Sequence, residues 1–204
     1  WTRDFGPLGV AEQTQKLHIV DTRYRHFRTR PADDAVPCKI AQAVQSQCTT
    51  TRLIVDGGNV MTDGLGRVFA TSRLYAWNPI MSEEQVRSSF KNLFSAKEVH
   101  ILPYAQRQGE PLDGTGHIDM FVKLLDTCTA LVAESDNSLF RDTLEHAATY
   151  FSNLACGNGE RKFQVVRIPS WYTNGTWYTY TNSLIVNQTV LMPSYSGANN
   201  QHAQ

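Results

Sequence analysis

His117 and Asp119, one residue apart in Gly114-Thr115-Gly116-His117-Ile118-Asp119-Met120-Phe121-Val122, form the pair in this sequence best suited to proton transfer. On an extended strand, residues i and i+2 point to one face, so the imidazole and the carboxylate would stand side by side after a glycine-rich corner while Ile118 faces the other way. Such a pair suits general acid and base work beside a cationic substrate, or a share in a metal site; the plainer reading is a surface histidine beside a solvated aspartate. Metal binding needs further ligands, and His18, His26, His100, His146 and His202 make no HxH or HxxxH pattern. Three other segments place polar residues at corners. Trp1-Thr2-Arg3-Asp4-Phe5-Gly6-Pro7 sets Asp4 between an aromatic anchor and a Gly-Pro turn, where it either faces a ligand or only closes the turn. Val55-Asp56-Gly57-Gly58-Asn59 runs a strand into a Gly-Gly corner, which allows close backbone approach to a ligand but is also an ordinary hairpin turn. Tyr180–Asn187, which contains Asn182, reads by itself as a hairpin with Val190-Leu191-Met192-Pro193 behind it.

The elements that would position these corners are readable from periodicity. Apolar runs bounded by Gly, Asn, Asp or Pro predict strands at Lys16–Tyr24, Arg52–Val55, Val68–Tyr75, Val99–Tyr104, Ala130–Ala133, Phe163–Ile168, Trp177–Val186 and Val190–Tyr195. Helices are expected at about Pro37–Cys48, Ser82–Phe94 and Ser138–Ala155. Ser82 and Gln85 form a capping box, and Gly157 is a natural stop for the third helix. That helix gathers Leu139, Leu144, Ala147, Ala148, Phe151 and Leu154 near one face, which reads as core. No Ser/Pro-rich linker or charge block interrupts the order, so the chain reads as one mixed α/β domain with a ββαβ-type unit used several times. Both ends read as cut, with Trp1 at a strand-to-loop corner and a polar tail at Gly197–Gln204.

At 204 residues the chain can bury one sizeable core, and 19 Lys+Arg balance 19 Asp+Glu. Zero net charge argues against a general nucleic-acid or acidic-membrane binder, and no apolar run reaches membrane-span length, so a soluble protein with a small-molecule or protein partner is expected. Cys38, Cys48, Cys128 and Cys156 lack CxxC spacing, which indicates neither structural zinc nor a thioredoxin motif and leaves disulfides open. Two sequons, Asn174-Gly175-Thr176 and Asn187-Gln188-Thr189, are within chance expectation. The arginines from Arg23 to Arg30 admit a phosphate-binding reading, but Asp33-Asp34 beside them favours a solvated, partly paired surface.

In this order, WTRDFGP, DGGNVMTDGLG, GHIDMF and YTNSLIVNQTVLMPSY resemble the family that contains agmatine deiminases and bacterial, Porphyromonas-type peptidylarginine deiminases. The resemblance implies a five-fold pseudosymmetric α/β propeller of ββαβ modules around a solvent-poor guanidinium pocket. This chain, a single deiminase-type domain over 1–204, would be its middle, incomplete at both ends. It further implies that Asp4 and Asp119 hold the guanidinium, that His117 is the general acid and base, and that no metal or organic cofactor takes part. Asp56, where many relatives have the Glu of a Glu-Gly-Gly corner, would orient His117 with one methylene less reach; Asn182 would line the pocket and Trp1 would wall it. The family's nucleophile is a cysteine in a Gly-rich His-Cys segment after the YTNSLIVN-like stretch, and this sequence reaches Gln204 before any such segment. None of the four cysteines present has that context.

Arg30-Pro31-Ala32-Asp33-Asp34 and the aromatic hairpin from Ser170 to Tyr178 look more like the exported peptidylarginine enzymes, so a secreted or periplasmic hydrolase of peptidylarginine is the leading reading. A cytoplasmic agmatine deiminase is the alternative, and a guanidinium binder without the cysteine is a further one. A stacking platform for carbohydrate at Trp171, Tyr172, Trp177, Tyr178 and Tyr180 competes with simple aromatic packing. The sequence leaves the oligomeric state open.

Overall fold

The computed structural model describes residues 2–11, 16–157, 159 and 161–195. Trp1, the expected aromatic wall, and the tail Gly197–Gln204 lie outside the described residues. Contacts group the chain into two units: residues up to Thr62 with Gly66–Ile101, and Asp63–Leu65 with residues from Leu102 on.

In the first unit, β1 (Leu8–Ala11) pairs antiparallel with β2 (Leu17–Arg23), placing Leu8 opposite Val20. Two short helices, α1 (Pro31–Asp34) and α2 (Val36–Ala43), carry the chain back to β3 (Gln47–Ile54), which runs parallel to β2. An antiparallel hairpin followed by a helical crossover to a parallel strand is a ββαβ unit. The same order recurs at once: β4 (Met61–Thr62) is antiparallel to β5 (Arg67–Thr71), helices α3 (Arg73–Trp77) and α4 (Glu83–Phe94) follow, and β6 (Glu98–Leu102) completes the sheet order β4-β5-β6. Helix α4 forms where its signals predict. The Ser82–Gln85 capping box is present, Glu83 and Glu84 sit in the first turn and Lys91 in the last, and Ser95 closes the helix in the left-handed region. Val86 and Phe90, one turn apart, are buried against Leu53, Val55, Val68, Ala70 and Leu74.

The second unit begins with a two-residue ribbon, β7 (Gln106–Arg107) with β8 (Glu110–Pro111). Strands β9 (Val122–Leu124) and β10 (Thr129–Glu134) are antiparallel, α5 (Arg141–Asn153) crosses over, and the chain returns through the short pair β11 (Ala155–Cys156) and β12 (Arg161–Lys162) to β13 (Gln164–Pro169), parallel to β10. This is the third ββαβ sheet. Hairpins β14 (Trp171–Thr173) with β15 (Thr176–Tyr178) and β16 (Leu184–Val186) with β17 (Thr189–Leu191) follow. The two sequon asparagines, Asn174 and Asn187, occupy the exposed tips of these hairpins with φ of 51° and 54°. Helix α5 buries Leu144, Ala147, Ala148 and Phe151, and Phe151 meets Phe163 edge-on at 5.4 Å.

Several elements depart from the periodicity reading. The helix expected to reach Cys48 ends at Ala43, because Gln45 turns left-handed at φ 54° and the Thr49–Thr51 run favours strand, so Cys48 lies in β3. The strand expected at Val68–Tyr75 stops at Thr71 and gives way to α3, which Asn78 fastens by donating to Leu74 O and Ile54 O and accepting from Ile54 N–H. Trp177–Val186 is two strands rather than one, interrupted at Thr179–Ser183. Leu139 precedes α5 and is exposed.

The aromatic residues pack on one another, the favoured reading over a stacking platform. Trp177 and Tyr180 are buried, Trp177 stacks on Phe140 at 4.2 Å, and Trp171 stacks on Tyr178 at 5.4 Å with Tyr195 edge-on to both. All four cysteines are paired. Cys38–Cys48 ties α2 to β3, and Cys128–Cys156 ties the turn before β10 to β11. Among the described residues no helix is long and apolar enough to cross a membrane.

Candidate functional site

In the first unit two chain corners are held against each other. The turn before β1 presents Asp4, which is 6% exposed; its Oδ1 accepts the Gly58 N–H at 3.3 Å, while its carbonyl accepts the Gly57 N–H at 3.0 Å. The corner before β4 is not a hairpin turn but a 3-10 turn, Gly57–Asn59. Glycine is required at 57 for close approach, since a Cβ there would stand 2.1 Å from the Arg3 carbonyl oxygen. Gly57→Ala is accordingly expected to push the Arg3–Asp4 turn away and cost about 1–3 kcal/mol, read as a lower urea midpoint. An unchanged midpoint would show that the turn yields freely.

Asp56 is fully buried and is met by Arg25 on both oxygens: the Arg25 N–H donates to Oδ1 at 3.1 Å and Nε lies 2.9 Å from Oδ2. A buried carboxylate paired in this way is held in one orientation. Asn59, also fully buried, accepts from the Thr71 N–H and hydroxyl, each at 3.0 Å. Tyr24, beside these corners and edge-on to Phe5, has its phenol pushed up, first by burial and then by the Asp56 and Asp4 carboxylates. The His26 imidazole is pushed down, by burial and then by Arg25.

The second unit brings the other candidates together. Asp113 Oδ1 accepts from the N–H groups of Thr115 and Gly116 and from the Thr115 hydroxyl, and Thr115 Oγ1 in turn accepts the His117 N–H. Gly116, at φ 73°, lies where a Cβ would meet the Tyr104 ring at 3.0 Å. His117 leaves this knot extended, but Ile118–Met120 is a 3-10 turn, so the strand geometry expected for the His-x-Asp pair is not the one adopted. The surface alternative also falls: His117 is 2% and Asp119 4% exposed, with Ile118 fully buried beside them.

The segment before β16 is bonded to this turn. Thr181 Oγ1 donates to the Asp119 carbonyl at 2.9 Å, Trp177 Nε1 donates to the Met120 carbonyl at 2.9 Å, and Asn182 Nδ2 lies 3.5 Å from Met120 Sδ. Lys123 Nζ donates to the Ser183 carbonyl at 2.5 Å.

The sequence-predicted residues thus fall into two sets. Asp4 and Asp56 share one patch of the first unit, and His117, Asp119 and Asn182 share one of the second. Each set sits where the chain enters a hairpin: before β1, before β4, before β9 and before β16. Sequence reasoning missed Arg25 as the partner of Asp56, Thr181 as the brace of Asp119, and Asp113 as the organiser of the His117 loop. Only Asp113 had a local signal, the Asp-Gly-Thr-Gly turn pattern in which an aspartate caps the amides two and three residues on. Among the described residues the one group of three metal-ligand types is Asp21, Cys38 and Cys48, and two of these are in a disulfide.

A Mycoplasma capricolum protein named for an inferred agmatine deiminase activity is 23% identical over 149 residues, which are 68% of this chain and 40% of that protein. The structure of agmatine deiminase from Enterococcus faecalis superposes with a TM-score of 0.83 at 20% identity, covering 98% of this chain and 64% of that one. A Porphyromonas gingivalis structure assigned as an arginine deiminase gives 0.80 at 22% identity, over 98% and 63%. The mixed α/β fold is therefore that of the deiminases, and the chain spans about 40% of the length of the curated relative and under two thirds of the solved ones. The family profile described as Porphyromonas-type peptidyl-arginine deiminase matches residues 1–204, and the chain belongs to that family.

Proposed function

We propose that the protein of which these residues are part hydrolyses a guanidinium group to a ureido group and ammonia, using Asp4, Asp56, His117, Asp119 and Asn182. The observation that carries this reading is the burial of a histidine and three carboxylates, His117, Asp4, Asp56 and Asp119, at corners that precede the first strands of successive ββαβ sheets.

A guanidinium is planar, carries a delocalised charge and has five N–H donors, so carboxylates in its plane are its natural partners. Asp4 and Asp119 take that role. Attack of a thiolate on the guanidinium carbon, with protonation of the leaving nitrogen by His117, releases ammonia. Water deprotonated by the same imidazole then adds to the covalent intermediate, and the thiolate leaves as the ureido product forms. The four cysteines here are engaged in disulfides, so the thiolate comes from outside this sequence. Asp56, held by Arg25, is the other catalytic candidate.

Agmatine-type amines are the first substrate class, supported by the names of the relatives. Peptidylarginine is the second reading, favoured by the two disulfides, since paired cysteines belong to oxidising compartments where exported peptides are met. Ureido formation by the full-length protein from agmatine, free arginine and an arginyl peptide, followed by colorimetry with coupled ammonia detection and with a chelator in parallel, tests both. A preference of tenfold or more in kcat/KM for agmatine supports the first class. Product from none of the three guanidines would overturn the proposal.

A further inference from the structure

A groove of about 800 Å³ in the first unit is walled by arginines from β2, the loop after it and β3. Arg23 and Arg28 stand over the same ring, with guanidinium carbons 4.7 Å and 5.5 Å from the Phe27 centroid, and Arg52 projects from the exposed side of β3. The expected partial pairing of this basic run holds for two arginines: Arg25 is bound to Asp56 and Arg30 lies 3.5 Å from Asp33. Among the described residues no carboxylate pairs with Arg23, Arg28 or Arg52. The lining also has an apolar part, with Trp77, whose centroid lies 5.8 Å from the Arg25 guanidinium carbon, and Ile80, which is 96% exposed.

We infer that this groove binds a short acidic peptide segment of a partner protein, one that carries an apolar side chain between its carboxylates. An arginine laid over an aromatic ring keeps its in-plane N–H donors for a carboxylate, so Arg23 and Arg28 offer two such forks at Phe27. A volume of this size is within the range of ligand-binding clefts. The apolar part of the lining decides the class. A phosphate polymer would use the cations alone and leave Trp77 and Ile80 against water, and a chain of zero net charge lacks the long-range field such polymers require. A peptide alternating acidic and apolar residues uses both parts at once. This inference does not depend on the proposed hydrolysis.

The test is fluorescence anisotropy of the full chain with a short fluorescein-labelled peptide of alternating glutamate and leucine. Binding should weaken about tenfold in an Arg23→Gln/Arg52→Gln double variant and about threefold in Ile80→Ser. Arg52 and Ile80 are exposed, so an unchanged thermal midpoint separates lost binding from lost folding. Poly-glutamate and heparin are the competing probes. Equal affinity for either of them, indifference to the variants, or no saturable binding of the alternating peptide overturns the assignment.

Discussion

His117→Ala, made in a chain that carries the whole deiminase, is expected to lower kcat about a thousandfold or more while leaving the fold intact. Two steps depend on one imidazole in the proposed mechanism. The leaving nitrogen must be protonated for the carbon–nitrogen bond to break, and water must be deprotonated for the intermediate to be released; each contribution is on the order of a hundredfold or more. A thousandfold loss corresponds to about 4 kcal/mol of transition-state stabilisation. The histidine sits in a turn organised by backbone bonds, with Asp113 holding the amides of Thr115 and Gly116 and Trp177 and Thr181 holding the carbonyls of Met120 and Asp119. None of those bonds uses the imidazole, so the alanine variant should keep the turn. Steady-state ureido formation with circular dichroism on the same sample reads both quantities. Turnover that survives the change would assign proton transfer elsewhere.

Removal of the second disulfide, as Cys128→Ser/Cys156→Ser, is expected to lower stability by about 3–4 kcal/mol, and removal of Cys38–Cys48 by somewhat less. The bridges join residues 28 and 10 apart. A longer closed loop withholds more conformational freedom from the unfolded chain, and this orders the two effects. The longer bridge also ties the hairpin turn before β10 to the return of the chain after α5, so its loss frees the exit of the helix that carries Leu144 and Phe151. Chemical denaturation of the two double variants measures the order, and a larger effect from the shorter bridge would mean that native-state contacts rather than loop entropy dominate.

How far the sequence revealed these features depended on how local each determinant is. Helix α4 was legible because its capping box and its Val86–Phe90 spacing lie within one segment. His117 and Asp119 were legible as a pair, but their geometry was not: a 3-10 turn replaced the strand once Asp113 and Thr115 had capped the preceding amides. The Asp56–Arg25 pair joins residues 31 apart and exists because β2 and β3 run parallel with a register shift after Asp21 that sets Arg23 opposite Ile54, which no local pattern encodes. Asn78 shows the same limit, since its bonds to Ile54 turn an apolar run that reads as strand into α3. Cysteine pairing was closed to sequence reasoning for a combinatorial reason, as four cysteines allow three connectivities.

The connectivity adopted is the one that joins consecutive cysteines, first to second and third to fourth. A chain made from its N-terminus presents Cys38 and Cys48 together before Cys128 has been synthesised. Oxidation that keeps pace with synthesis therefore lets Cys38 and Cys48 pair before Cys128 and Cys156 can compete for them. Each bridge closes within a single ββαβ unit, so neither waits for distant sheets to assemble. Refolding of the fully reduced chain loses this advantage, because all three pairings then compete and two of them must be undone by thiol exchange before the units can close.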